Sequence, residues 1–225
     1  MYFNYPNLAK RNLINKETKF IIMSKLKNIT HDLYKVIDIK YTKYLIKDCS
    51  VKKKDIEYVL DKSKEDAVNI KNIGYVSLYY NQNPLIYVTT PIMVCLFGLD
   101  KKTKQMSLQF TNLESDNEMK SFFDFIENVE VNNMKHLGID EDNYDKYINQ
   151  IRYDKQKKYD PNLSVKVPFV NNRYDMNIYS DDYDLINIEN ICNFTKMRCD
   201  IYIDKIWKWN DVFTCKWKVK VIHLV

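Results

Sequence analysis

The chain of 225 residues is poor in glycine, with 3, and in proline, with 5. Loops that close a backbone around a phosphate need glycines at fixed spacing, and neither G-x-x-x-x-G-K-[ST] nor G-x-G-x-x-G occurs. Glycine-rich loops that cradle a phosphate are thereby excluded. The patterns G-x-S-x-G and H-E-x-x-H are missing too, which removes the signatures of α/β-hydrolases and zinc peptidases. The five cysteines, Cys49, Cys95, Cys192, Cys199 and Cys215, are odd in number and never spaced C-x-x-C. They read as free, mostly buried thiols in a reducing compartment rather than as a disulfide framework. His31, His136 and His223 stand far apart, so neither a metal site nor a cofactor is expected. No apolar run approaches a membrane span and no leader pattern opens the chain, which points away from membrane insertion and secretion.

What is present supports a folded domain with an appendage: 45% of residues are hydrophobic, 29% are charged, and 18 are tyrosine. The net charge of +5 conceals a partition. Residues 1–72 carry 16 basic and 9 acidic side chains, whereas residues 73–225 carry 19 and 21. The second part is striped. Residues 111–150 hold 3 basic and 10 acidic side chains, 151–173 hold 6 and 2, 174–195 hold none and 5, and 196–225 hold 7 and 3. A surface divided in this way can attract a polyanion on one side and repel it on the other.

Residues 1–28 show no clean period and read as an N-terminal extension. Residues 29–72 form a basic segment of mixed period, ending in a short helix or charged linker at V-K-K-K-D-I-E-Y-V-L. From Ile73 strands dominate. G-Y-V-S-L-Y-Y, N-Q-N-P and L-I-Y-V-T-T-P read as a hairpin, and Q-M-S-L-Q-F-T places Met106, Leu108 and Phe110 on one face. Ser115 and Asp116 precede an amphipathic helix whose apolar stripe is Met119, Phe122, Phe123, Ile126, Val129 and Val131 or Met134. Strands return at L-S-V-K-V-P-F-V and R-Y-D-M-N-I-Y, and two more close the chain around Asn210 and Asp211. Residues 73–225 are therefore expected to be mainly β with one helix, an OB-fold-like Greek-key barrel with an inserted amphipathic helix.

The run Y-V-S-L-Y-Y-N-Q-N-P-L-I-Y-V-T-T-P-I-M-V-C-L-F-G-L, with Pro84-Leu85, Thr90-Pro91 and Phe97-Gly98 as anchors, resembles a hairpin of the single-stranded DNA-binding proteins of nucleocytoplasmic large DNA viruses. That family is similar to the OB-fold replication protein of T-odd phages. S-V-K-V-P-F and the terminal Ile206-Trp207, Phe213 and Trp217 continue the likeness over residues 73–225. The resemblance implies a noncatalytic protein that coats single-stranded DNA during viral replication and recombination, in a cytoplasmic virus factory or the host nucleus. Replication proteins and a second copy of the chain are its further expected partners. Phage relatives end in an acidic tail that recruits such proteins, whereas this chain ends V-K-V-I-H-L-V.

Binding single strands without regard to sequence needs aromatic faces for bases and cations for phosphates. The candidate aromatics are Tyr79, Tyr80, Tyr87, Trp207 and Trp209. The candidate cations are Arg152, Lys155, Lys157, Lys158, Lys166, Arg173, Lys205, Lys208, Lys216 and Lys218. Two other classes are weighed: a viral structural module that assembles through its sheet, and a magnesium-dependent nuclease using Asp100, Glu118 and Lys120. Acid at Glu118 is equally explained by the start of a helix. Along the last strand Phe213, Cys215, Trp217, Val219 and Val221 alternate with Lys216, Lys218 and Lys220, so Trp217 reads as core, while Trp207 and Trp209 stay open as stacking surfaces.

Overall fold

The computed structural model describes residues 30–46 and 73–225. The N-terminal extension and most of the basic segment, including its expected helix or linker and Cys49, lie outside the described residues. Six strands, β1 (Lys40–Tyr41), β2 (Leu45–Ile46), β3 (Gly74–Tyr79), β4 (Ile86–Thr89), β5 (Met93–Cys95) and β6 (Gln105–Gln109), precede one long helix, α1 (Asn117–Leu137). The helix is followed by β7 (Tyr147–Ile148), β8 (Ile151–Arg152), β9 (Asn162–Lys166), β10 (Phe169–Val170), β11 (Arg173–Tyr174) and β12 (Asn177–Tyr179). The chain ends with β13 (Thr195–Ile203), β14 (Lys205–Trp209), β15 (Val212–Thr214) and β16 (Trp217–Leu224).

Five of these form a closed circuit. β5 pairs with β6, β6 with β9, β9 with β16, β16 with β13, and β13 returns to β5 and β4. All are antiparallel except β9 with β16. A five-stranded Greek-key barrel with one parallel pair is the OB architecture, so the fold is mainly β, an OB-like barrel plus a helix inserted between β6 and β9.

The strand that serves both β13 and β6 is bent at Thr90-Pro91. Pro91 has no N–H to give the ladder, and Thr90 takes over: its N–H donates to the Cys199 carbonyl at 2.8 Å and its hydroxyl accepts from the Cys199 N–H at 3.0 Å. The turn after β5 needs Gly98, whose φ is +63° and whose absent Cβ would stand 2.8 Å from the Ile191 carbonyl oxygen. Two of the anchoring dipeptides thus have a structural cause.

The expected hairpin of β3 and β4 does not form. Asn81 and Gln82 turn the chain with φ of 46° and 69°, a single bridge joins Tyr80 to Asn83, and Pro84 supplies no further donor. The strands then part. β4 joins the barrel, while β3 enters a second sheet ordered β1, β3, β14, β15, β7, with β2 also on β3. The two closing strands are each shared in the same manner. β13 and β16 belong to the barrel, and the β14–β15 hairpin, turning at Asn210 and Asp211 with φ of 44° and 65°, belongs to the second sheet.

α1 begins where Asp116 accepts a hydrogen bond from the Met119 N–H, and ends at Gly138 with the Ile139 N–H on the Met134 carbonyl. Met119, Phe122, Phe125, Ile126, Val129 and Met134 are buried against the barrel. The stripe runs through Phe125 rather than Val131, which is exposed, and Phe123 is only partly buried. Phe125 reaches Trp217, ring to ring at 6.2 Å. Two polar residues share this face. Asn133 accepts from the Tyr41 hydroxyl and lies within 3.1 Å of the Tyr147 hydroxyl, and Glu130 accepts from the Gln150 N–H. Unpaired, each would cost about 1–3 kcal/mol.

Trp217 is core, as its alternation predicts, with 1% of its surface exposed. The register expected beyond it is corrected by a bulge. Asp200 pairs with Val221 and Ile201 with Val219, so Lys220 is extra and Ile222, not Val221, turns inward.

Candidate nucleic-acid interface

The outward residues of β6 and β9 are read directly from their register. Gln105 faces Lys166, Ser107 faces Ser164, and Gln109 faces Asn162. Inward, Met106, Leu108, Leu163 and Val165 fill the barrel. The outer face is therefore uncharged and rich in hydrogen-bonding groups except at its cationic edges. Ser164 is itself buried and donates to the Gln105 side chain at 3.0 Å, which fixes that amide at the end of the face beside Lys166.

Cations border this face along the far edge of β9 and at the start of β6. Arg152 on β8 pairs in register with Asn162, Lys218 on β16 with Lys166, and Lys104 precedes β6. Burial first, then the Lys216 and Lys104 ammonium groups, hold the Lys166 ammonium below its ordinary value. Burial and the Arg152 guanidinium do the same to Lys216. Lys166 thus feels Lys216 and Lys104, and Lys216 feels Arg152, as like charges, while the Asp100 carboxylate acts on Lys166 in the opposite sense. Among the described residues none of Lys104, Arg152, Lys166 and Lys216 has a carboxylate within ion-pair distance. An arriving polyanion would relieve their repulsion.

An aromatic pair stands beside them. Asn171 and Asn172, both with positive φ, turn the β10–β11 hairpin tightly. That turn brings Phe169 and Tyr174 to 4.9 Å, edge to face. Lys104 Nζ lies 4.6 Å from the Phe169 ring and 5.6 Å from the Tyr174 ring. Neither ring nor Lys104 is prominent in sequence. The usable signal was K-K-T-K at residues 101–104, between two strands, and aromatics flanking an Asn-Asn turn.

A second aromatic group lies on the outer side of the other sheet. Tyr75 and Trp207, opposite each other on β3 and β14, are 5.3 Å apart. Lys205 Nζ is 4.5 Å from the Tyr75 ring and 5.8 Å from that of Trp207. Trp209, two residues on from Trp207, shares its face by alternation. Lys205 follows Asp204, whose carboxylate binds Lys218 Nζ at 2.6 Å, and Lys218 neighbours Lys166. The Lys218–Asp204 ion pair therefore stands between the barrel face and Lys205.

The expected residues divide accordingly. Arg152, Lys166 and Lys216 come together on the barrel face, and Lys205, Trp207 and Trp209 on the second sheet. Lys155, Lys157 and Lys158 are exposed in the loop from β8 to β9, where the Asp154 carboxylate accepts from the Lys158 N–H at 2.8 Å. Arg173 is exposed on the β10–β11 hairpin. Lys218 and Lys208 are already paired, Lys208 with Asp211 at 2.8 Å, and Lys208 points to the opposite side of its strand from Trp207. Tyr79 is half-buried beside a shallow cavity with Lys40, Asn81 and Gln82.

Tyr80 is corrected, and Tyr87 is half-buried with its hydroxyl committed. Tyr80 is 9% exposed, its hydroxyl donates to the Leu33 carbonyl, and its ring packs at 4.7 Å from Tyr34. It has no free face to stack. Tyr87 donates to the buried Asp200 carboxylate at 2.9 Å, and Thr89 donates to the same group at 2.8 Å. Burial and that carboxylate push the Tyr87 phenol up, and its hydroxyl serves to satisfy Asp200. Asp100 is likewise committed. It accepts from the Lys102 and Thr103 N–H groups and the Thr103 hydroxyl, which is the role of a turn carboxylate.

No family model matches the chain, and no curated protein matches it. Three solved structures similar to it are the single-stranded DNA-binding protein from bacteriophage Enc34, its C-terminal truncation, and the same protein in complex with ssDNA. Their TM-scores are 0.44, 0.42 and 0.41, at 10%, 9% and 10% identity. Each covers 66% of this chain, and the shares of their own chains are 83%, 88% and 89%.

Proposed function

We propose that the protein binds single-stranded DNA without catalysis, along the outer face of β6 and β9. The observation that carries this reading is the clustering of four cations, Lys104, Arg152, Lys166 and Lys216, without an ion-pair partner among the described residues, around a face rich in amide and hydroxyl groups. Phosphates would lie against the cations, and bases against Phe169 and Tyr174, with Lys205, Tyr75 and Trp207 on the second sheet as a further group of cation and rings. A duplex keeps its bases stacked inside and cannot use the rings, so single strands are preferred. Coating of strands during viral replication and recombination, a paired second copy and replication partners are what the sequence resemblance adds to this reading.

The test is a titration of the full chain with a single-stranded oligonucleotide, the matching duplex and an RNA strand of the same sequence, at two salt concentrations. Single-stranded DNA should bind more tightly than duplex. If four phosphates are neutralised, affinity should fall about 50-fold between 50 and 200 mM salt, from a slope of roughly −0.7 per phosphate. Equal affinity for duplex, or no dependence on salt, would overturn the reading.

A further inference from the structure

A cavity of about 410 Å³ lies on the side of the second sheet away from Trp207, between the β1–β2 segment, the last turn of α1 and the β14–β15 hairpin. We propose that this cavity is a nucleotide pocket, separate from the barrel face, that takes one nucleobase between its aromatic walls with the phosphate toward Lys43 and Lys208.

The walls are built rather than incidental. The Tyr41 hydroxyl donates to Asn133 Oδ1 at 3.0 Å and accepts from Asn132 Nδ2 at 2.9 Å, so its ring cannot swing. His136 stacks on that ring at 4.0 Å with an interplanar angle of 11°. Tyr44 forms another wall, and one of the chain's three glycines makes room for it. A Cβ at Gly74 would come within 2.2 Å of the Tyr44 ring and 2.7 Å of the Leu45 carbonyl oxygen. The ring held there is still 42% exposed, so its position is not explained by burial in a core. Phe213 completes the lining.

Lys208 spans two of these walls, with Nζ 6.0 Å from the Tyr44 ring and 5.5 Å from the Phe213 ring. Its partner Asp211 is 72% exposed at the hairpin tip, where an ion pair contributes little and an incoming phosphate can replace the carboxylate. Lys43 is exposed at the mouth. Rings alone would suit any flat apolar molecule, and lysines alone any anion. A planar base joined to a phosphate uses both, and the volume falls within the roughly 300–1,000 Å³ of small-molecule sites. Free nucleotides and the bases of a bound strand share this chemistry.

Thymidine 5′-monophosphate, titrated into the ¹⁵N-labelled full chain and followed by amide shifts, tests the pocket without requiring the barrel face. Saturable shifts are expected around Tyr41, Tyr44 and Phe213. Phe213→Ala should weaken the nucleotide at least about fivefold, the lower end for loss of one stacking partner, and Lys166→Glu should leave it unchanged. Lys43→Glu, an exposed change that does not threaten the core, should weaken it as well while leaving the melting temperature in place. No saturable shift in the wild-type chain, or unchanged affinity in both Phe213→Ala and Lys43→Glu, overturns the proposal. An oligonucleotide carrying 5-iodouracil separates the two sources. Displacement of the mononucleotide and photocrosslinking to Tyr44 assign the pocket to a bound strand, and its absence assigns it to free nucleotides. Failure of the wild-type chain to bind the oligonucleotide would count against the barrel face alone.

Discussion

Glu130 offers the sharpest test of how the helix is seated. It lies on the buried face of α1 at 5% exposure, accepts from the Gln150 N–H, and faces Glu127, Tyr147 and the Cys215 thiol. Burial raises its carboxyl from 4.5 to about 7, against the opposing pull of the Gln150 and Ile151 N–H groups. The folded protein therefore holds a proton that the unfolded chain has released between those two values. Stability contributed by this group is fully present below pH 4.5 and is lost as pH rises toward 7, by about 3 kcal/mol in total. His136 and His223, both lowered by burial, act in the opposite sense over part of this window, so the comparison must be with a variant. Glu130→Gln keeps the shape and an acceptor for the Gln150 N–H but removes the charge. At pH 4 its urea midpoint and melting temperature should match the wild type. At pH 8 it should be the more stable, by up to about 3 kcal/mol or roughly 6–12 °C in melting temperature. A variant less stable than the wild type at pH 8 would refute the reasoning, because the carboxylate would then gain more from its N–H donors than it loses by burial.

The tryptophans should separate cleanly: Trp217→Ala should cost about 3–5 kcal/mol in chemical denaturation, whereas Trp207→Ala should chiefly weaken oligonucleotide binding, by roughly 5-fold or more. Equal stability losses would contradict their placement. Neutralising Lys166 and Lys216 together, as Lys→Ala changes, should reduce the steepness of the salt dependence by about 1.4, from roughly 0.7 per phosphate contact, which a titration series in potassium chloride reads directly. An unchanged slope would remove both residues from the interface. Gly74→Ala forces Tyr44 and the Leu45 backbone aside, since the new methyl meets both, and should cost about 1–3 kcal/mol in a thermal melt while abolishing mononucleotide binding. A melt identical to that of the wild type would show that the β2–β3 register differs from that described.

Much of the barrel was legible because period 2 and period 3.6 are set by local geometry. Met106, Leu108 and Phe110 point inward as their alternation predicts, and Asp116 caps the helix that its position announces. The failures have one cause, since pairing is not a local property. The tight turn at Asn81 and Gln82 looks like a hairpin turn, but Pro84 stops the ladder and sends β3 and β4 to different sheets. The bulge at Lys220 exchanges the faces of Val221 and Ile222, and nothing in the alternation of the last strand marks it. Tyr80 is a candidate stacking ring in sequence, yet it is buried and its hydroxyl closes a contact with the distant Leu33 carbonyl, as the Tyr87 hydroxyl does with Asp200.

The sequence by itself determined that a β-rich domain with one capped helix exists, that Trp217 faces its core, and that positive charge collects at residues 151–173 and 196–225. These follow from side-chain periodicity and from counting. Tertiary structure decided which of those charges meet. Arg152, Lys166 and Lys216 came from stripes read in sequence, but Lys104 joined them only because β6 runs beside β9 and β9 beside β16. It also decided that Lys208 and Lys218 are held by Asp211 and Asp204, and that Trp207 stands beside Tyr75, brought there by a strand more than a hundred residues earlier in the chain. Charge is additive along a sequence, whereas a binding surface depends on distances, and those are fixed only when the barrel closes.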